Sequence, residues 1–260
     1  MKEKIIEVSN DFWNIRGSFK IGGVVDIKTQ TSLVRLSNGN FVFLGAYSLG
    51  RETIRQIDDI VGGDAEIEAI LNVHPFHTMH VTRMHELYPE ARLYGTARHR
   101  DRFSELPWEA ELTEDPELHA LYADDFAFSI PRGVDFVSAN QNIHFSSVLA
   151  MHHASHTIHV DDTFMYIELP RVLRLFGMRD SLGFHPTLSK ALEKRAGAAA
   201  DFRAWAEELI DDWGSVENLC AAHTGSLLAR SNAGASIPDR LQKALRKCEP
   251  RLRMHERRYG

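Results

Sequence analysis

The stretch "ILNVHPFHTMHVTRMHELYPEARLYG", residues 70–95, decides how this chain is read. The apolar run "EIEAILNV" ends at Val73 and delivers His74, so a strand is predicted that places a histidine at its C-terminal end. "VTRMHELY" then sets Val81, Met84, His85 and Tyr88 at helical spacing, and Pro89 stops the helix. "ARLYG" is the next strand. A strand, a loop, a helix and a strand in that order build one parallel step of a sheet. Four histidines, His74, His77, His80 and His85, crowd this one unit.

A second cluster, "AMHHASHTIHVDD" at 150–162, repeats the pattern, and together the two stretches hold eight of the fourteen histidines. Around them the chain alternates. Residues 10–47 read as short β-rich runs, with Asn38-Gly39 as a hairpin signal. "RETIRQIDDIVGG" is a short amphipathic helix closed by glycine. Residues 97–131 are acidic and less regular, and read as a loop with short helices. "VDFVSA", "IHFSSVLAMHH" and "TIHVDDTFMYIE" return to strands. "TLSKALEKRAGAAADFRAWAEELIDDWG" is mostly helical, with Leu192, Phe202, Trp205, Leu209 and Trp213 as core contacts. "NLCAAHTG" is a short apolar run ending in His223, and "IPDRLQKALRKC" is a helix with Pro238 in its first turn. No repeat and no linker breaks this order, so residues 1–260 read as a single domain.

Composition narrows the class. A net charge of −6 argues against nucleic acid and against acidic membrane surfaces as partners. The N-terminus lacks the apolar core of a signal peptide, and no run of roughly 18 apolar residues occurs. The two cysteines, Cys220 and Cys248, form no close metal-type pair and no disulfide framework, which suits a reducing, cytoplasmic compartment. A small-molecule substrate is the expected partner, and the oligomeric state is open.

Three places bring His or Asp to the end of an apolar strand: His74 with His77, the segment from His152 to Asp162, and His223. Strand ends on one sheet edge converge in space. Imidazole and carboxylate are the ligands that zinc, iron and manganese share. A lone histidine after a strand is ordinarily a surface or hydrogen-bonded residue; three such sites together point to a metal.

On these residues the chain resembles the metallo-β-lactamase superfamily, in a branch with a reduced motif. There a strand runs into His-x-His-x-Asp-His, followed by a helix and a Pro-led strand. "NVHPFH" and "YPEARLY" occupy those places here, with His74 and His77 matching the second and last histidines. "HHASHT" resembles the next ligand motif and puts His152 in the ligand place; Asp162 matches the bridging aspartate, and "AAHTG" the final turn, at His223. The likeness spans residues 10–250. It implies an αββα four-layer sandwich, two mixed sheets with helices outside, in keeping with the repeated β-rich and α/β order. It also implies a divalent metal, zinc before iron or manganese, held by His74, His77, His152, Asp162 and His223, with Asp162 and His77 as catalytic residues.

The sequence departs from the pattern at two positions. Asn72 stands where the motif has its first His, and Phe76 where it has Asp; Gly45 stands near a further expected aspartate. One ion rather than two is therefore expected, with His80 and His153 as spare donors. His80 and His85, on the helix, read as exposed. His156 and His159 read as supporting or surface residues, Asp161 as a turn residue, and Asn72 as a weak ligand or a hydrogen-bond partner of one. The function implied is hydrolysis of an ester, lactone, thioester or phosphoester by a metal-activated water, whose pKa the ion lowers to about 7. The alternative is a degenerate member that binds metal or ligand without hydrolysis. An iron oxidoreductase is a third reading.

Overall fold

A computed structural model describes residues 3–260 apart from 19, 22–24, 27, 170, 171, 173, 174, 177–179, 224 and 233. The N-terminal half builds a seven-stranded sheet in the order β1-β2-β5-β6-β7-β8-β9. Its strands are β1 (Lys4–Ser9), β2 (Phe12–Gly17), β5 (Thr29–Arg35), β6 (Phe41–Leu44), β7 (Ile67–Leu71), β8 (Arg92–Gly95) and β9 (Trp108–Leu112); the small pair β3 (Lys20–Ile21) and β4 (Val25–Asp26) stands apart. The sheet is antiparallel from β1 to β6 and parallel from β6 to β9. The parallel steps are made by helices α1 (Arg51–Val61), α2 (Val81–Leu87) and α3 (Ala97–Arg102). After α4 (Pro116–Leu121), a second sheet follows in the order β10-β11-β12-β15-β16. It contains β10 (Phe126–Ser129), β11 (Leu149–His152), β12 (Thr157–Val160), β15 (Asn218–Ala221) and β16 (Ser226–Leu227), with β12 and β15 parallel. β13 (Phe164–Ile167) and β14 (Ser181–Phe184) form a hairpin-like pair, and α5 (Leu188–Ala191), α6 (Ala198–Asp212) and α7 (Ile237–Tyr259) cover the second sheet.

Alternation along the strands explains the layering, because successive side chains point to opposite faces. Ala69 and Leu71 of β7 face inward with Val42 and Leu44, and meet Ala150 and Cys220 of the second sheet and Val148 just before β11. Ile70, between them, faces out with Leu33 and Phe43 and packs on Ile57, Val81 and Met84 of the first helices. On the other side Ile158, Val160 and Leu219 pack on Phe202, Leu209 and Leu241. Each large aliphatic or aromatic side chain buried in this way stabilises the fold by about 1.5–3 kcal/mol. The result is helices, sheet, sheet, helices: the four layers expected.

Three local expectations change. The acidic region contains strands β9 and β10, not only loop and helix. β9 is an edge strand, where Glu109 and Glu111 stay in reach of water and unpaired edge groups are guarded by charge. "VDFVSA" is not a strand; only Val134 forms a bridge, to Leu192. The final helix is longer than its pattern suggested and carries Pro250 inside it, on an exposed face. Leu192, Phe202, Trp205, Leu209 and Trp213 are all buried, as their spacing predicts.

Candidate metal centre

The centre is built from the ends of three strands. β7 stops at Leu71, but Asn72 prolongs its pairing: its backbone N–H and its side-chain Nδ2 both donate to the Tyr94 carbonyl, at 3.0 and 2.9 Å. The chain then turns tightly. The His77 amide donates to the His74 carbonyl and the Phe76 amide to His74 Nδ1, at 3.0 and 3.1 Å. This turn stacks the rings of His74 and His77, with centroids 4.1 Å apart. In the other sheet, β12 and β15 run parallel, with Val160 beside Ala221. They therefore end together, and deliver Asp161 and Asp162 from one strand and His223 from the other.

Asp162 is the hub. Its Oδ2 lies 3.3 Å from His74 Nε2 and 3.4 Å from His77 Nε2, and its Oδ1 lies 3.0 Å from His223 Nε2. His223 is fixed on its other side by Nδ1, hydrogen-bonded to the Lys28 carbonyl at 2.9 Å. Burial, reinforced by the neighbouring charge on His77, pushes His74 down to about 3, so its ring is neutral. Burial acts against charge on His77 as well, but Asp161 and Asp162 reverse it and hold the ring up to about 10. Burial also opposes ionisation of both aspartates; the His77 charge outweighs it, and both stay well below the carboxylate range. His223 is raised, because its bond to Asp162 outweighs its burial.

Donor atoms of His74, His77 and Asp162 all lie within 4.8 Å of one another. Among the described residues, buried His74 Nε2 lacks an aligned hydrogen-bond partner, which costs about 1–3 kcal/mol unless something else satisfies it. Neutral imidazole and ionised carboxylate are the forms that bind a divalent ion; His74 and Asp162 already have them, and the carboxylates that favour a proton on His77 and His223 would equally favour a cation in its place, so the residues fit such an ion. His74 and His77, with His223 and Asp161, line a cavity of about 280 Å³, whose walls also include Ala46, Val73, Phe76 and Met79.

Of the residues expected to gather, His74, His77, Asp162 and His223 do. His152 does not, and this corrects the expectation. It is the last residue of β11 and pairs with Thr157, the first of β12. The antiparallel turn between them puts it at the opposite end of the sheet from Asp162, about 16 Å away at roughly 3.3 Å per residue. There it is buried against Phe12 and Phe126 and bonded to Ser155 Oγ at 2.8 Å. His153 and His156 belong to that same turn. His80 is half-buried, hydrogen-bonded to Ser48 Oγ and facing the cavity. His85 lies on α2. In the "AAHTG" turn, residue 224 lies outside the described residues.

The sequence reading missed several residues. Asp161 is only 3% exposed, and its Oδ2 lies 3.3 Å from His77 Nδ1, so it is no ordinary turn residue. His144 sits beside His74, with ring centroids 6.2 Å apart, and stacks on Phe76. His185 is close enough to Asp162 and His223 to feel their charge. Neither belongs to a histidine cluster in sequence, so only the fold reveals them. Cys220 and Cys248 are both buried and free.

No family model matches the sequence, and no curated protein matches it. Solved structures do. A metallo-β-lactamase from Pontibacter korlensis is 8% identical, with a TM-score of 0.56, covering 94% of this chain and 99% of its own. The metallo-β-lactamase FIM-1 from Pseudomonas aeruginosa, in its mono-zinc form, is 8% identical, with a TM-score of 0.59 and coverage of 95% and 96%. TMB-1, a structure described with its substrate and inhibitor binding, is 10% identical, with a TM-score of 0.61 and coverage of 95% and 97%. Among the described residues, no helix is long and apolar enough to cross a membrane.

Proposed function

We propose that this chain, which has the metallo-β-lactamase fold, is a divalent-metal-dependent hydrolase of a small-molecule ester, lactone, thioester or phosphoester. One observation carries the reading: the donors of His74, His77 and Asp162 converge within 4.8 Å, beside a cavity that the two histidines line. His74, His77, Asp162 and His223 are the proposed ligands, and Asp162 and His77 the proposed catalytic residues. Zinc is the proposed metal. One ion suits a site in which Asn72 and Phe76 stand where the resemblance expects donors, and FIM-1 offers a precedent in its mono-zinc form. We place the chain in the cytoplasm as one domain, in keeping with two buried, unbridged cysteines.

When bound, the ion supplies a Lewis acid and lowers the pKa of water to about 7. The chain's own groups do the rest. Asp162 faces three imidazoles and can accept a proton at either oxygen. His77 turns Nε2 toward Asp162 and keeps its proton at Nδ1, where Asp161 accepts it. Phe76, Met79 and Ala46 give the cavity an apolar side against which the apolar part of a substrate can pack. Phe76 favours the second reading, binding without hydrolysis, because it brings no carboxylate to orient a nucleophile.

Elemental mass spectrometry of protein purified without added metal, followed by a screen of esters, lactones, thioesters and phosphoesters, tests the proposal. The expected result is about one zinc per chain and hydrolysis abolished by chelation. A protein that takes up no divalent ion overturns it; one that holds metal but turns over none of the four classes supports the second reading.

A further inference from the structure

The inner face of the first sheet is apolar at one end and polar at the other. Phe12 and Val34 lie far from the centre. Asn14, Arg16, Gln30 and Ser32, toward the centre, are all buried between the sheets. Polar groups in that position cost free energy unless they are hydrogen-bonded. Here each has partners. Asn14 Nδ2 donates to Gln30 Oε1 and Ser32 Oγ at 3.0 and 3.1 Å. Gln30 Nε2 donates to the carbonyls of Val160 and Cys220 at 2.9 and 3.1 Å. Arg16 donates to Gln30 Oε1 and to the carbonyls of Ala221 and Ala222. The network therefore grips the last residues of β12 and β15, immediately before Asp161 and His223.

One branch leads to the centre itself. Ser32 Oγ is bonded to His159 Nδ1 at 2.9 Å. His159 is wholly buried; among the described residues its Nε2 has no hydrogen-bond partner, and it lies 3.8 Å from Asp161 Oδ1. The other oxygen of Asp161 lies 3.3 Å from His77 Nδ1. Apolar side chains suffice to join two sheets, as Phe12 and Val34 do on the same face farther from the centre. The polar layer instead ends on a carboxylate that touches a proposed ligand. An imidazole ligand is commonly oriented by a carboxylate at its other nitrogen, which fixes the ring's rotation and raises its basicity.

We propose that Asp161 is a positioning residue: it holds the His77 ring by Nδ1 so that Nε2 faces Asp162, with the buried His159–Ser32 pair packed behind it. This rests on the metal-centre reading above. Asp161 and Asp162, adjacent in sequence, thus divide the labour: Asp162 faces the cation and Asp161 faces the ring that binds it.

The test is Co²⁺ binding to full-length protein, read as affinity by competition with a chromophoric chelator and as the visible spectrum of the bound ion. Asp161→Asn keeps the shape and removes the charge. It is expected to weaken Co²⁺ binding about 10–100-fold and to change the spectrum, while metal-free protein remains folded by circular dichroism. His159→Gln leaves both carboxylates and should give a smaller loss in the same direction, which keeps the test valid should Asp161→Asn not fold. Asp101→Asn, at an exposed aspartate, is the control. A folded Asp161→Asn with wild-type affinity and spectrum overturns the assignment and leaves the metal centre standing. If Asp161→Asn does not fold, an unchanged His159→Gln overturns it. Wild-type protein that binds no Co²⁺ overturns the metal centre and this inference with it.

Discussion

Phe76 lies face to face with His144, their ring centroids 4.5 Å apart and their planes inclined by 16°. The Arg98 guanidinium sits 4.6 Å from the same ring centroid. Phe76 is half-buried, in contact with a histidine and an arginine, and not a member of the core. The position that the resemblance gives to an aspartate is thus filled by a ring with its own partners.

Phe76→Asp should therefore fold. The loss is the stacking and cation–π contribution, about 1–2 kcal/mol, offset in part by a new ion pair with Arg98. Together with Asn72→His it should add capacity for a second metal ion. Denaturant unfolding checks the first statement, and Co²⁺ titration of the double variant checks the second. Two tightly bound ions in the wild type would refute the idea that these positions limit the count.

His152 and His77 should behave oppositely. His77→Ala and Asp162→Asn should lose bound metal. His152→Ala should keep it and lose stability instead, by about 1–3 kcal/mol, because a buried ring packed on Phe12 and Phe126 is removed and Ser155 is left unpaired. Metal content by mass spectrometry, alongside unfolding curves, separates the two roles. Loss of metal in His152→Ala would contradict its placement at the far end of the sheet.

Acid should destabilise the metal-free protein before its aspartates titrate. Burial pushes His74 down to about 3 and His99, His152 and His159 down to about 4, against an ordinary value of 6.5. As pH falls below 6.5 the unfolded chain takes up these protons first, so stability is full above 6.5 and is lost toward pH 4. Each proton contributes about 1.4 kcal/mol per pH unit. His77 acts in the opposite sense. Burial works against its charge, the two aspartates hold it up to about 10, and the stability it adds is lost as pH rises from 6.5 toward 10. Metal-free protein should therefore be most stable near pH 6.5. Unfolding curves of chelator-treated protein from about pH 4.5 to 9 measure the profile; a flat acid limb would refute the neutral state of these rings.

Gly133 should not tolerate a side chain. Its φ is +70°, and an added Cβ would lie 2.0 Å from the Ala198 carbonyl oxygen, in rigid backbone at the start of α6. Gly39, at φ +92°, has open space around it. Gly133→Ala should cost more than about 2 kcal/mol and Gly39→Ala about 1 kcal/mol. Equal unfolding midpoints for the two variants would refute the close approach of residue 133 to α6.

The sequence by itself determined the local units. The apolar run into His74, the helical spacing of Val81, Met84 and Tyr88, and the strand after Pro89 are all visible because strand and helix periodicities are written in neighbouring residues. The same local signals place His77, Asp162 and His223 just past strand ends. Tertiary structure decided which ends coincide. His152 follows an apolar strand as plainly as His223 does, yet β11 is antiparallel to β12, so its end lies at the far edge. Strand direction depends on partners remote in sequence, and no window around His152 contains it. Asp161 looked like a turn residue because its partner, His77, arrives from the other sheet. His144 and His185 stand alone in the sequence and acquire neighbours only when the two sheets close. Burial then decides which of these groups carry charge, since the dielectric around a side chain is set by the whole fold and not by its neighbours along the chain.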